Sequence, residues 1–257
     1  IVLPTDYKKD EIRFTIFQDG GMSLIPTEDM PSFESNISQL FFMNSGISKF
    51  PKTTLRKMMA GKNASVSVSI SQYQHGVSGV CAPKDLETAL QLAYLNYADP
   101  RFDQKEYDSG IQQIKALLPN IVSSPDFLYQ EEMNKVMYNN NPRVVGISEE
   151  VLAKADLATI DRVYRELFKD AAGAVVTIVG NVDLETLKPM VEKYIGSLPT
   201  SKSVEYAVVD DGVRYAEGGV TNDFRVAMQQ PKVSVYLTYN GAIENNAKNR
   251  LIYSDSL

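Results

Sequence analysis

Residues 64–71 read ASVSVSIS, with Val66, Val68 and Ile70 separated by single serines. Every second side chain can enter a core while its neighbours face water, the signature of a strand with one buried face. Gln74-His75-Gly76 is expected to turn the chain, and Val77 to Ala82 to return as the second strand of a hairpin. A half-covered hairpin is not stable by itself, so this segment demands further strands and an apolar cover.

The remaining periodicities supply both. Ile12, Phe14 and Ile16 alternate with Arg13 and Thr15, predicting a strand, followed by a turn at Asp19-Gly20-Gly21 and a short strand at Met22–Ile25. Phe33, Ile37, Leu40 and Phe41 have helical spacing, with Gly46 as a stop, and Thr53 to Met59 predicts a shorter helix. Pro83 stands where a helix start tolerates proline. Leu86, Leu90, Ala93 and Tyr97 form the buried stripe of that helix, which ends at Asp99-Pro100. Helices are predicted over Asp103–Leu118 and Pro125–Tyr138, and another from Leu157, Ile160, Tyr164 and Leu167. Ala174 to Val179 is apolar throughout and suits a strand covered on both faces. Asp183 is a fitting cap for a helix with Leu184, Leu187, Val191 and Tyr194 inward and a kink or late start at Pro189. Val204 to Gly219 reads as a linker with weak strands, Lys232 to Tyr239 as a strand and Asn245 to Leu257 as the beginning of a helix. The fold class that follows is α+β.

Composition narrows the chemistry. The 257 residues carry a formal charge of -6 with no basic cluster, which argues against nucleic acid as a partner. No apolar run is long enough to span a membrane. The chain opens on IVLP without Met or a basic leader, as expected of a fragment, from which any targeting signal could have been lost. One histidine and one cysteine, His75 and Cys81, cannot supply a catalytic zinc, which takes three protein ligands dominated by His or Cys.

The candidate sites are few. His75 and Cys81 flank the predicted hairpin turn and could form a nucleophile pair, against the plainer reading of a turn histidine and a small buried thiol. Glu131-Glu132 and Asp210-Asp211 could act as acid–base carboxylates, against solvated surface charge. Asn36-Ile37-Ser38 and Asn63-Ala64-Ser65 fit the glycosylation pattern, a frequent coincidence. The residues alone support a scaffold without a catalytic constellation: catalytic and metal-binding residues are none, and substrate-binding residues unknown.

An internal repeat suggests the domain organisation. Ile12, Phe14, Ile16 and Gly20 share their offsets with Val233, Val235, Leu237 and Gly241, a separation of 221 residues. A non-catalytic α+β domain is expected over 1–203, and a linker with the truncated start of a second domain over 204–257.

The segment AVVTIVGNVDLETLKPMVEKYIGSLPT, Ala174 to Thr200, resembles the pitrilysin/insulinase family of zinc metallopeptidases. PKDLETALQLAYLNYADPRFD, Pro83 to Asp103, is similar to the same family, as is the stretch from Gly46 through LRKMMAGKNASVSVSI to the hairpin. The resemblance covers nearly all of the chain. It implies a mixed, largely antiparallel β-sheet covered by helices on one side, as in the mitochondrial processing peptidase, and single-chain members with four such domains. Their first domain holds zinc through H-x-x-E-H and a distant Glu. The corresponding positions here fall on Ile37, Leu40 and Phe41, so the resemblance implies the third, non-catalytic domain. By the same resemblance, zinc belongs to the missing catalytic domain, with no cofactor in this segment. The partners are the catalytic N-terminal half and peptide substrates, and the setting is the periplasm or cell envelope of a bacterium. One alternative is a purely structural or binding module, like the core subunits of respiratory complexes. A remote third is an independent enzyme using carboxylates or His75 with Cys81.

Overall fold

The computed structural model describes all residues except 145, 202–207, 228, 229, 231, 242, 245, 256 and 257. In chain order the elements are β1 (Val2–Pro4), β2 (Ile12–Asp19), α1 (Ser35–Asn44), α2 (Lys52–Met58), β3 (Ala64–Ile70), β4 (Gln74–Cys81), α3 (Leu86–Ala98), α4 (Gln104–Val122), α5 (Pro125–Met137), α6 (Glu149–Lys154), α7 (Leu157–Phe168), β5 (Val175–Gly180), α8 (Leu184–Tyr194) and α9 (Ala247–Asp255). Short 3₁₀ turns occupy Gly21–Leu24, Thr27–Phe33 and Pro83–Asp85.

Five strands form one sheet in the order β1-β5-β2-β4-β3. Only β1 and β5 run parallel; the other neighbours are antiparallel. The register puts Phe14 opposite both Ile178 and Gly79, and Ile16 opposite Val176 and Val77. These residues share the face that packs on α3, α7 and α8, and they form the main core with Leu90, Tyr164, Phe168 and Leu187. On the other face, Thr177, Thr15, Ser78 and Ser67 stand in one row across four strands. The sheet is thus mixed, largely antiparallel and helix-covered on one side. A second core joins α1, α4, α6 and the start of α7 through Ile37, Phe41, Tyr107, Ile111, Ile114 and Ile160.

Several sequence expectations are corrected. Gln74, His75 and Gly76 are not a turn: they open β4, and the hairpin turns at 71–73. The Gly76 position tolerates this because it lacks a Cβ, which would lie 2.0 Å from the Ile16 carbonyl. Met22–Ile25 is not a strand but lies at a 3₁₀ turn, whose Met22 and Ile25 carbonyls bond the Arg143 guanidinium rather than a neighbouring strand. β5 is not covered on both faces, since Val175 is half-exposed on the open side. In α8 the stripe keeps Leu187 and Tyr194 inside, while Leu184 is exposed at the first turn. Asp183 caps α8 through the Thr186 N–H, as its position predicts.

The C-terminal segment differs most. Among the described residues of 204–219 no strand forms, and Lys232–Tyr239 is also irregular. Val233 is 90% exposed, and Val235 and Leu237 are exposed as well. Alternating apolar side chains favour a strand only when a neighbour satisfies the backbone and a core receives the apolar face. The described part of this segment instead crosses α5: the Ala216 N–H donates to the Met137 carbonyl at 2.7 Å, and Tyr129 stacks on Phe224. Tyr236 also meets Tyr129. The predicted terminal helix forms as α9, with Asn245, Ser256 and Leu257 outside the described residues; Val204 to Ala207 and Pro231 likewise lie outside them.

Candidate functional site

The face of α1 carries Ile37, Leu40 and Phe41, the positions onto which the family resemblance maps its zinc motif. Glu34, itself buried, caps the helix by accepting the N–H groups of Asn36 and Ile37. That cap starts the helix one residue after the 3₁₀ turn that ends at Phe33, and so fixes which side chains turn inward. Ile37 and Phe41 are buried against α4, and Leu40 is half-buried beside them. Phe41 stacks on Phe102 at 5.8 Å and meets the Tyr107 ring edge-on at 6.1 Å. The three positions onto which the family resemblance maps H-x-x-E-H therefore carry apolar side chains packed against α4.

His75 offers no ligand either. The Gly21 N–H donates to Nδ1 at 3.2 Å, so Nδ1 carries no proton. Nε2 then holds it and donates to the Leu167 carbonyl at 2.8 Å. Both nitrogens are engaged, the ring is 3% exposed, and burial pulls its pKa below the ordinary histidine value. The pairing with Cys81 is overturned by the strand assignment. The two residues lie six apart on β4, and at about 3.3 Å per residue they are about 20 Å apart. Cys81 is buried, with its thiol pushed up to about 11 by desolvation, the opposite of an activated nucleophile.

The other candidates are scattered. Asp210 pairs with Arg214 at 2.6 Å on the surface, and Asp211 meets Gln72. Asn36 and Asn63 are both exposed; the Asn36 amide donates to Glu34 and the Asn63 N–H to Asp85. Glu132 takes the Asn222 amide at 3.0 Å and lies 3.9 Å from Lys135. Glu131 departs from the surface reading, because it is half-buried in the wall of a cavity of about 310 Å³. Pro31, Asn134, Asn140 and Gly146 also line that cavity. Sequence reasoning missed it because its walls come from α5, α6 and the loop between them, and α6 itself had no periodic signal. The Asn-Asn-Asn-Pro loop before Arg143 was the available clue. Arg143 anchors it by donating to the carbonyls of Met22 and Ile25.

Among the described residues no group of three or more His, Cys, Asp or Glu is arranged to hold a metal ion. With the only imidazole doubly bonded and the only thiol buried, the residues of this chain do not fit zinc.

Residues 155–252 match the family profile described as "Peptidase M16 inactive domain". This part of the chain is thus similar to the inactive domain of M16 peptidases. The Arabidopsis thaliana protein "Zinc protease PQQL-like" is 26% identical over 199 residues, covering 76% of this chain and 18% of that protein. "Probable zinc protease PqqL" of Haemophilus influenzae is 18% identical over 204 residues, covering 79% of this chain and 22% of its own length. The chain therefore spans about a fifth of the length of these curated relatives. Its fold is that of the periplasmic protease PqqL from Escherichia coli, with a TM-score of 0.67 at 18% identity over 83% of this chain and 23% of that one.

Proposed function

We propose that this chain is the non-catalytic half-domain of a zinc metalloendopeptidase, and that it helps enclose and orient peptide substrates. Confinement of that kind contributes to rate by holding a substrate in reactive geometry, without any proton transfer from this chain. The observation that carries the reading is the face of α1: Ile37 and Phe41 are core residues, at positions onto which the family resemblance maps zinc ligands. Zinc, in this reading, is held by the catalytic N-terminal half of the same parent protein, and peptides are shared between the halves. The domain would be the third of four, spanning 1–203, with 204–257 as linker and opening of the next. Both core clusters end by Leu198, which supports that boundary. The periplasm or bacterial cell envelope is the proposed setting, by likeness to the periplasmic relative.

The test uses the parent reading frame. It should carry H-x-x-E-H several hundred residues upstream. Expressed whole and with residues 1–203 removed, it should bind zinc in both forms and hydrolyse a quenched fluorogenic peptide only when whole. Full activity without these residues would refute the proposal. So would chelator-sensitive peptidase activity from the present chain alone.

A further inference from the structure

The cavity between α5, α6 and their connecting loop contains a carboxylate without a hydrogen-bonded partner among the described residues. Glu131 lines it, and no hydrogen bond or ion pair from any described residue reaches its oxygens. Two lysines also line the cavity: Lys154 bonds Glu150 at 2.7 Å, and Lys135, 3.9 Å from Glu132, offsets part of the Glu131 charge without a hydrogen bond to it. The buried Glu34 adds repulsion, since its own oxygens are taken up by the helix cap. A half-buried carboxylate without a partner is costly, and burial raises its pKa accordingly. The fold nevertheless reserves room for it. A Cβ on Gly146 would lie 2.2 Å from Glu131 Oε1, so the carboxyl group rests directly on the glycine backbone. The amide side chains of Asn134 and Asn140 complete a polar wall, with Pro31 and Val151 as its apolar part. The volume, about 310 Å³, is at the small end of ligand pockets.

We propose that this cavity binds the guanidinium group of an arginine side chain presented by a partner polypeptide, with Glu131 as its carboxylate. A planar carboxylate accepts two parallel N–H bonds from guanidinium, a match that a lysine ammonium does not reproduce. Asn-type acceptors at the rim suit the remaining N–H groups, and Pro31 and Val151 suit the methylene stem. The site does not use the Ile37 and Phe41 face of α1, so the inference holds whichever role the whole domain has in proteolysis.

The experiment is a titration of the ¹⁵N-labelled 257-residue chain with N-acetyl-arginine amide, followed by amide chemical shifts. Saturable shifts are expected at Asn134 and Gly146, with a dissociation constant of about 1 mM or tighter. N-acetyl-citrulline amide, the neutral isostere, should bind at least about tenfold more weakly, and Glu131→Gln should weaken the arginine probe by the same factor. Gly146→Ala, which displaces the carboxyl group without touching its charge, is a second variant and should also weaken binding. The folded state of each variant is checked by its far-ultraviolet spectrum. No saturable shift, as when Lys135 swings onto Glu131 instead, overturns the proposal. A loss smaller than tenfold with citrulline or with Glu131→Gln does the same.

Discussion

The imidazole of His75 donates from Nε2 to the carbonyl of Leu167 at 2.8 Å, joining the second residue of β4 to the last turn of α7. The same ring takes the Gly21 N–H on Nδ1. One neutral side chain therefore holds three separate segments together: the 3₁₀ turn after β2, the hairpin and the helix over the sheet. The ring also meets that of Phe168 in a T-shaped contact at 5.3 Å.

Protonation of His75 should destabilise the fold. Burial lowers its pKa in the native state, against the weaker opposing effects of the Leu167 bond and the Asp19 charge. Above the ordinary value near 6.5 both folded and unfolded chains carry it neutral, and its bonds count in full. Below that value the unfolded chain binds the proton first, so stability falls, by about 1.4 kcal/mol per pH unit, until the lower native pKa is reached. Carboxylates held low, such as Asp170 and Asp183, lose their contribution at still lower pH. Urea midpoints of the native chain between pH 7.5 and pH 5 should drop more steeply than those of His75→Gln. Equal slopes would mean that the ring is solvated or already charged.

Gly21→Ala should be among the most damaging small substitutions. The residue has φ +58°, and a Cβ there would lie 2.2 Å from the Ser71 carbonyl oxygen and 2.5 Å from the Gln74 nitrogen. Both are backbone atoms of the hairpin, so nothing flexible can move aside. The left-handed conformation alone costs about 1–2 kcal/mol for an alanine, and the clash adds to that. A chemical melt should show a loss of at least about 3 kcal/mol. A loss under about 1 kcal/mol would place the turn away from the hairpin.

Much of this was written in the sequence at long, regular elements. β3, α3 and α7 alternate or repeat cleanly because each has one side against the core, and Leu86, Leu90, Ala93 and Tyr97 are all buried as their spacing requires. What escaped was set by contacts between distant residues. β1 is three residues long, and is a strand only because Val2, Leu3 and Pro4 pair with Ile178, Val179 and Gly180. The hairpin turn was misplaced by a few residues because His75-Gly76 has turn chemistry, yet both fit inside β4 once the ring reaches Leu167. The cavity at Glu131 was invisible for the same reason: its half-buried carboxylate reads as ordinary surface charge on α5, and only the return of Gly146 encloses it. Lys232–Tyr239 shows the reverse error, a correct alternation with no described partner to make it a strand.

Phe41→Ala measures whether α1 is core or cleft. The ring is 5% exposed, with Phe102 stacked on it and Phe42 and Tyr107 at its edges. Removing a fully packed phenylalanine leaves a void that its neighbours fill only partly, so a cost of about 3–5 kcal/mol in denaturant unfolding is expected. A cost below about 1 kcal/mol would mean that the helix faces an opening, and would weaken the reading of this face as an abandoned catalytic surface.

Deleting the chain from Val213 onward should leave a folded domain. Both core clusters are complete by Leu198, and Val213 lies beyond them. What the deletion removes is the strap on α5: Ala216 against Met137, Tyr215 stacked on Tyr138 at 5.1 Å, Phe224 and Tyr236 about Tyr129, and Lys232 near Asp126. Ala216 is the one described residue of the removed part that is buried. These aromatic contacts contribute about 0.5–1.5 kcal/mol each when well formed, against a core of many fully buried side chains. Far-ultraviolet circular dichroism and a single cooperative melt should therefore survive truncation. Amide exchange should accelerate along α5, which has no buried residue of its own and relies on the strap for cover. If the truncated chain loses its cooperative transition, the strap belongs to the first domain, and the proposed boundary at 203 must move toward the C-terminus.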